Sequence, residues 1–296
     1  AGGSAKDLQR EFRKFSAHPL EQSESIHNSK EDPRSMSRHV ACSDCHNVHT
    51  VRAAATQDRS VSAHAPEGVR GISSSGSRLA QANFAYEVCY NCHGMAEPAR
   101  PAVVRRDPVG NTRAKFDPAN ASFHPVVSPG KNQEITGLEP GFTSSSTIGC
   151  TDCHNSDSLG GTRGPHGSIY EPILEREYQL QDPNPESYKA YSLCYKCHNR
   201  AVLLSGQSAF PHKLHVVDQQ ASCAVCHDAH GSRDNTRLIN FMTRGKNGST
   251  VVSASSSGRL EYQTTGRSQG RCYLRCHGSD HEGKSFPVSS QRMVTR

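Results

Sequence analysis

The 296 residues carry 34 Lys and Arg against 28 Asp and Glu, a formal charge of +6, and only 33% of them are hydrophobic, well below the roughly 45–50% of an ordinary soluble domain. So apolar-poor a chain cannot fill a core of its own for its length, and no run of 18 apolar residues is present to cross a membrane as a helix. No Lys/Arg run with interleaved aromatics marks a nucleic-acid surface.

In chain order, Asp7 to Phe15 sets Leu8, Phe12 and Phe15 on one helical face and predicts a short amphipathic helix. His18, before Pro19, and His27, before Asn28, follow in a segment with few structure signals. Residues 39–49 read HVACSDCHNVH, with Cys42, Cys45 and His46 flanked by His39 and His49. Residues 50–83, rich in Ser, Ala, Gly and Arg and holding His64, read as loop. Cys89, Cys92 and His93 repeat the C-x-x-C-H string, and the long Pro- and Gly-containing interval 94–149 sets His124 between Phe123, Pro125 and two valines. Further copies stand at Cys150/Cys153/His154, Cys194/Cys197/His198 and Cys223/Cys226/His227, with His166, His212, His215 and His230 around them. The sixth copy, Cys272/Cys276/His277, carries one extra residue between its cysteines, and with it all twelve cysteines are used.

C-x-x-C-H is the signature of covalent haem attachment: two thiols bond to the haem vinyl groups and the adjacent imidazole ligates iron. A lone C-x-x-C suits a redox dithiol or half a zinc site equally well, but six strings with the histidine adjacent each time point to haem c. Zinc would need further ligands for every cluster. The expected cofactors are six covalent haems, one per about 49 residues, and they supply the missing core. The expected fold is therefore mostly irregular coil with short α-helices and minimal β, packed around cofactors. Each haem brings two propionates and a formally cationic ferric centre, so the holoprotein charge falls to roughly zero oxidised and roughly −6 reduced. The basic balance then says little about partners. Thiol-linked haem also implies export, and the Ala1-Gly2-Gly3 start fits a chain after signal cleavage as well as any other boundary.

The motifs fall into pairs separated by 47, 44 and 49 residues (Cys42 to Cys89, Cys150 to Cys194, Cys223 to Cys272). A histidine follows the first member of each pair (His49, His166, His230) and a tyrosine follows the first cysteine of the second (Tyr90, Tyr195, Tyr273). This suggests an N-terminal arm, 1–38, and dihaem modules at 39–149 (with a linker), 150–210 and 211–296, not separable as domains. The pattern C-x-x-C-H-x-x-H-G-S followed some forty residues later by L-C-Y-x-C-H resembles the paired C-x-x-C-H family of multihaem cytochromes c over most of residues 39–281. It departs from that family at the loop between His154 and His166, at Thr50 where Gly is expected, and at the stretched sixth motif.

The proximal iron ligands expected are His46, His93, His154, His198, His227 and His277, with thioethers from the twelve cysteines. The distal candidates are His18, His27, His39, His49, His124, His166, His212, His215 and His230, of which six would be in use; His64 and His281 rank below them. A histidine three residues past a proximal one cannot cross its own haem, so His49 and His230 should ligate neighbouring haems, and His166 likewise by repeat position. The functional expectation is electron conduction along stacked haems. The resemblance to extracellular filament-forming cytochromes implies a homopolymer, with His18 or His27 reaching a neighbouring subunit. The alternative is a monomeric or small-oligomer shuttle in the periplasm or at the cell surface. An enzyme is not expected, because no motif replaces its histidine to open an iron position. Partners would be copies of the chain and redox proteins or extracellular acceptors, with an extracellular or surface site favoured over the periplasm.

Overall fold

The computed structural model describes residues 7–20, 40–47, 49, 67–94, 101–133, 135–158, 162–206 and 208–286. His27, His39 and His64 lie outside the described residues.

The elements are short. In order they are α1 (Leu8–Phe12), β1 (Ser16–Ala17), α2 (Cys42–Cys45), β2 (Gly71–Ile72), β3 (Arg78–Leu79), α3 (Ala85–His93), β4 (Val104–Arg105), α4 (Thr112–Lys115) and β5 (Ser122–Phe123). There follow β6 (Gly167–Ser168), α5 (Arg200–Leu204), α6 (Cys223–Cys226), β7 (Gly231–Ser232), β8 (Met242–Arg244) and β9 (Val252–Ser253). The chain ends in three longer strands, β10 (Glu261–Gly266), β11 (Gln269–Cys276) and β12 (Ser279–Phe286). Single 3₁₀ turns occupy Cys150–Asp152, Cys194–Lys196 and Thr236–Leu238, and a wide π-type turn runs over Lys213–Asp218. No described helix is long and apolar enough to cross a membrane.

Helix α1 begins where the period suggests, capped by Asp7, whose carboxylate accepts from Arg10 N–H at 3.1 Å. The apolar residues of the expected face are not the ones buried most deeply. Phe15 is 79% exposed and Leu8 46%, whereas Glu11 is 4% exposed. The cause is an ion cluster: Lys14 Nζ reaches Glu11 at 2.6 Å and Asp157 at 2.8 Å, and Ser156 Oγ donates to Glu11 at 2.6 Å. Two carboxylates sharing one ammonium with a hydroxyl satisfy the buried charge, so α1 is anchored by its polar side.

Apart from β2 and β3, which form a local hairpin, three of the short strand pairs join segments far apart in sequence. β1 pairs antiparallel with β6, β5 with β7, and β4 with β8, so the segments ahead of the third and fifth motifs are stitched onto the chain that follows those motifs. Strands β10, β11 and β12 form a meander, with β9 on the far half of β11. The sequence reading expected little strand here. The hairpin joining β11 to β12 turns on His277-Gly278, both at positive φ (+49° and +75°), the geometry a tight two-residue turn requires. Beneath this sheet lies the largest apolar cluster, with Val225, Phe241, Met242, Val252, Tyr262, Leu274 and Phe286. A second gathers Ile72, Tyr86, Tyr90, Phe116, Phe123 and Val126 around α3.

Candidate haem-binding site

Five of the six motifs fold as a helical turn. The cysteines span α2, the end of α3, the two 3₁₀ turns and α6, and the histidine N–H closes the turn onto the first cysteine's carbonyl in His46, His154, His198 and His227 at 2.8–3.0 Å. Cysteines three apart on such a turn face one side, with the imidazole leaving from its end. The sixth motif instead lies along β11.

The motifs follow one another in space in the order they occupy in the chain. Cys45 feels the charge of Cys89 and Cys92; the thiols of Cys89 and Cys150 touch; Cys153 feels Cys194 and Cys197; Cys194 touches Cys223; Cys226 feels Cys272 and Cys276. Burial pushes the thiols of Cys45 and Cys153 up to about 12, with neighbouring cysteines adding to the rise in both. Thiols so held are protonated and make poor thiolate ligands for a bare metal. Among the described residues, no cluster of three or more His, Cys, Asp or Glu side chains could hold a metal ion unaided.

The histidines come in pairs drawn from distant segments. Ring centroids lie 6.1 Å apart in His46–His166, 6.3 Å in His93–His18, 6.2 Å in His154–His230, 6.4 Å in His198–His124 and 6.3 Å in His215–His281. Other ring contacts among the described residues scatter from 4.7 Å upward. Two metal–imidazole bonds of about 2 Å each, plus about 1.1 Å from nitrogen to ring centre on either side, put two imidazoles on one iron about 6.2 Å apart. In the first four pairs one member belongs to a C-x-x-C-H motif and the other to a different segment. His212 has no such ring partner in contact, but its strongest electrostatic neighbour is the motif histidine His227.

A haem ligand must be a neutral imidazole with one nitrogen free, and several of these rings are held in that way. Burial lowers His93, His198 and His212 to about 4 and His230 to about 3, and it also lowers His124, His154, His166 and His227. Nδ1 is engaged by a backbone carbonyl in His18 (Pro165, 2.6 Å), His154 (Pro172, 2.9 Å), His215 (Pro211, 3.0 Å), His227 (Arg237, 2.8 Å) and His124 (Ala229). With the proton held at Nδ1, Nε2 keeps its lone pair. The residues therefore fit a haem with two imidazole ligands. No family model, curated protein or solved structure matches this chain.

A repeated device positions these rings. Around the third motif, Ser16-Ala17-His18-Pro19 pairs with His166-Gly167-Ser168; around the fifth, Ser122-Phe123-His124-Pro125 pairs with His230-Gly231-Ser232. Ser16 Oγ accepts from Ile173 N–H at 2.9 Å and Ser122 Oγ from Leu238 N–H at 2.8 Å. Ser168 Oγ donates to the Leu174 carbonyl and Ser232 Oγ to that of Ile239, at 2.6 and 2.7 Å. Backbone strain also recurs at the same place, with φ of +53° at Ile173 and +58° at Leu238. His166 comes twelve residues after His154 and His230 only three after His227, yet both occupy the same position, the extra chain looping out between. The signal that finds this device is the recurrence of Ser-x-His-Pro, which the pairing of cysteine motifs overlooks.

The other expected residues are placed less tellingly. His49 is exposed beside α2, its N–H on Asn47 Oδ1 at 3.1 Å, and no described imidazole faces it. His277 bonds Asp182 Oδ2 at 2.6 Å. His281, ranked low from sequence, is paired.

Proposed function

We propose that the chain is an electron-conducting multihaem c-type cytochrome carrying six covalent haems, the subunit of an extracellular filament. The observation that carries this reading is the set of imidazole pairs at iron-bridging separation, each joined to the next through neighbouring motifs in chain order. Haem bound at these sites would supply one-electron Fe(III)/Fe(II) exchange at low potential, as two imidazole ligands favour.

The chain's own residues do the rest. Cys42/Cys45, Cys89/Cys92, Cys150/Cys153, Cys194/Cys197, Cys223/Cys226 and Cys272/Cys276 provide the anchoring thiols. His46 with His166, His93 with His18, His154 with His230, His198 with His124 and His227 with His212 provide ligands for five irons. The carbonyls of Pro165, Pro172, Ala229 and Arg237 fix the ring tautomers and tune ligand basicity. With two imidazoles available for each of these five irons, none would be left open to a substrate, which argues for conduction over catalysis.

The repeat bears on assembly. His230 pairs with the motif two before its own (His154), and His166 does the same (His46). His49 stands in the equivalent position of the first motif, none of the six motifs lies two before it, and its ring is exposed. Its iron would then belong to another copy of the chain, where it would replace His212 at the Cys223/Cys226 haem, since a haem iron takes only two such ligands. In this arrangement His18 serves its own chain, and the inter-subunit role expected of His18 or His27 would fall to His49, His27 lying outside the described residues.

The experiment is cryo-electron microscopy of the purified holoprotein with intact-mass measurement on the same sample. Six haem adducts and a helical filament with an unbroken haem row are expected. Discrete particles with six haems would leave a periplasmic or surface shuttle, and absence of adducts would end the cytochrome reading.

A further inference from the structure

The sixth motif departs from the other five in sequence and in fold alike. Its cysteines do not close a helical turn but lie two residues either side of Leu274 on β11, so Cys272, Leu274 and Cys276 share a strand face, and all three pack on the apolar cluster of Val252 and Phe286. The adjacent histidine leaves that face. His277 is the first residue of the two-residue turn, at φ +49°, with Gly278 at +75° behind it and Cys276 paired to Ser279 across the turn. Its Nε2–H donates to Asp182 Oδ2 at 2.6 Å; Asp182, its side chain 2% exposed, takes the Ser222 N–H on its other oxygen at 2.9 Å. The nitrogen that would ligate iron in the other motifs is thus committed to a buried carboxylate. No described imidazole is in ring contact with His277.

Across the ladder, directly opposite Leu274, stands His281. Opposed residues of an antiparallel pair project to one face, so His281 rises beside the line joining the two cysteines. Its ring is 6.3 Å from that of His215, the spacing of the four motif pairs. His215 in turn holds its Nδ1 proton on the Pro211 carbonyl and stacks on Phe210 at 4.7 Å, which meets Phe286 edge-on at 5.0 Å beneath the cysteine face. Two segments therefore converge on one site beside the sulfurs, and the motif's own histidine is turned away from it.

We propose, resting on the cytochrome reading above, that His281 and His215 are the two iron ligands of the haem attached through Cys272 and Cys276, and that His277 is a structural residue tying the hairpin to Asp182. The extra residue between the cysteines is then the mark of a motif recast as a strand, with the ligand supplied by the neighbouring strand in place of the next residue.

The test uses the holoprotein and the variants His281→Met and His277→Met, read by intact mass, near-infrared absorption and redox titration. His281→Met is expected to show, in one haem of six, either a thioether-to-iron charge-transfer band with one couple raised or one high-spin iron if the thioether falls short. His277→Met should keep the wild-type iron spectrum and lose only thermal stability. A band or a high-spin iron in His277→Met with His281→Met spectrally unchanged overturns the proposal, as does a wild-type protein with five haems and free thiols at Cys272 and Cys276. A wild-type mass with no haem overturns the cytochrome reading instead.

Discussion

The main-chain N–H of His18 donates to the carbonyl of His166 at 3.3 Å, and His124 repeats that bond onto His230 at 3.1 Å. Each bond sets side by side two imidazoles that serve different partners: His18 faces His93 and His166 faces His46, while His124 faces His198 and His230 faces His154. One backbone contact thereby fixes the relation between two neighbouring imidazole pairs, and that relation depends on a small residue. A Cβ at Gly167 would stand 1.9 Å from the Glu11 carbonyl oxygen, and one at Gly231 would stand 2.1 Å from that of Lys115. Neither obstacle is a flexible side chain. Gly231→Ala should cost about 3 kcal/mol or more and Gly167→Ala a similar amount, measured as shifts of the denaturant midpoint.

Removing one ring should be felt at one iron. His18→Ala leaves His93 without its facing imidazole, so on the proposed function one haem of six becomes high-spin, read by electron paramagnetic resonance, with six haem adducts retained in the mass. An unchanged low-spin spectrum would remove His18 from the ligand set.

Acid should loosen the fold before it hydrolyses or precipitates anything. Burial holds His93, His198 and His212 near 4, against 6.5 for an ordinary imidazole. Between those values the unfolded chain takes up protons that the folded chain refuses. Stability from these groups is therefore complete above about pH 6.5 and is lost as pH falls toward about 4. Thermal midpoints measured across that interval should decline steadily as the pH falls.

Asp228 is 4% exposed and its charge is answered by Lys115 at 2.8 Å. Lys115→Met strands that carboxylate, with an expected loss of about 3–5 kcal/mol. Lys115→Met combined with Asp228→Asn should recover much of it. A double-mutant cycle by chemical denaturation separates the pair from mere loss of a surface charge.

Much of the candidate site is legible in the sequence because its grammar is local: cysteines three apart and a histidine next to them are read within five residues, and the structure folds five such strings as helical turns. What was not legible is long-range. Ser16 meets Ser168 and Ser122 meets Ser232, and no short window contains both partners. The residue that α1 buries most deeply, Glu11, is held by Lys14 and Ser156, and Lys14 in turn by Asp157, far away in sequence, so apolar periodicity alone could not show it. Around the sixth motif the difference was of another kind. His277-Gly278 is a turn signal, but its histidine had already been assigned to a motif, and the alternating strands on either side went unread.

The stitching of β1 to β6 and of β5 to β7 imposes a timetable on maturation. A chain delivered from its N-terminus presents Ser16 and His18 long before Ser168 and His166 exist to receive them, and Ser122 and His124 wait in turn for His230. The early segments stay unpaired until the later ones arrive and lock them. Synthesis and closure are separated in time by the order of the residues alone, so a chain cut short between the stitches would leave β1 and β5 without their partners.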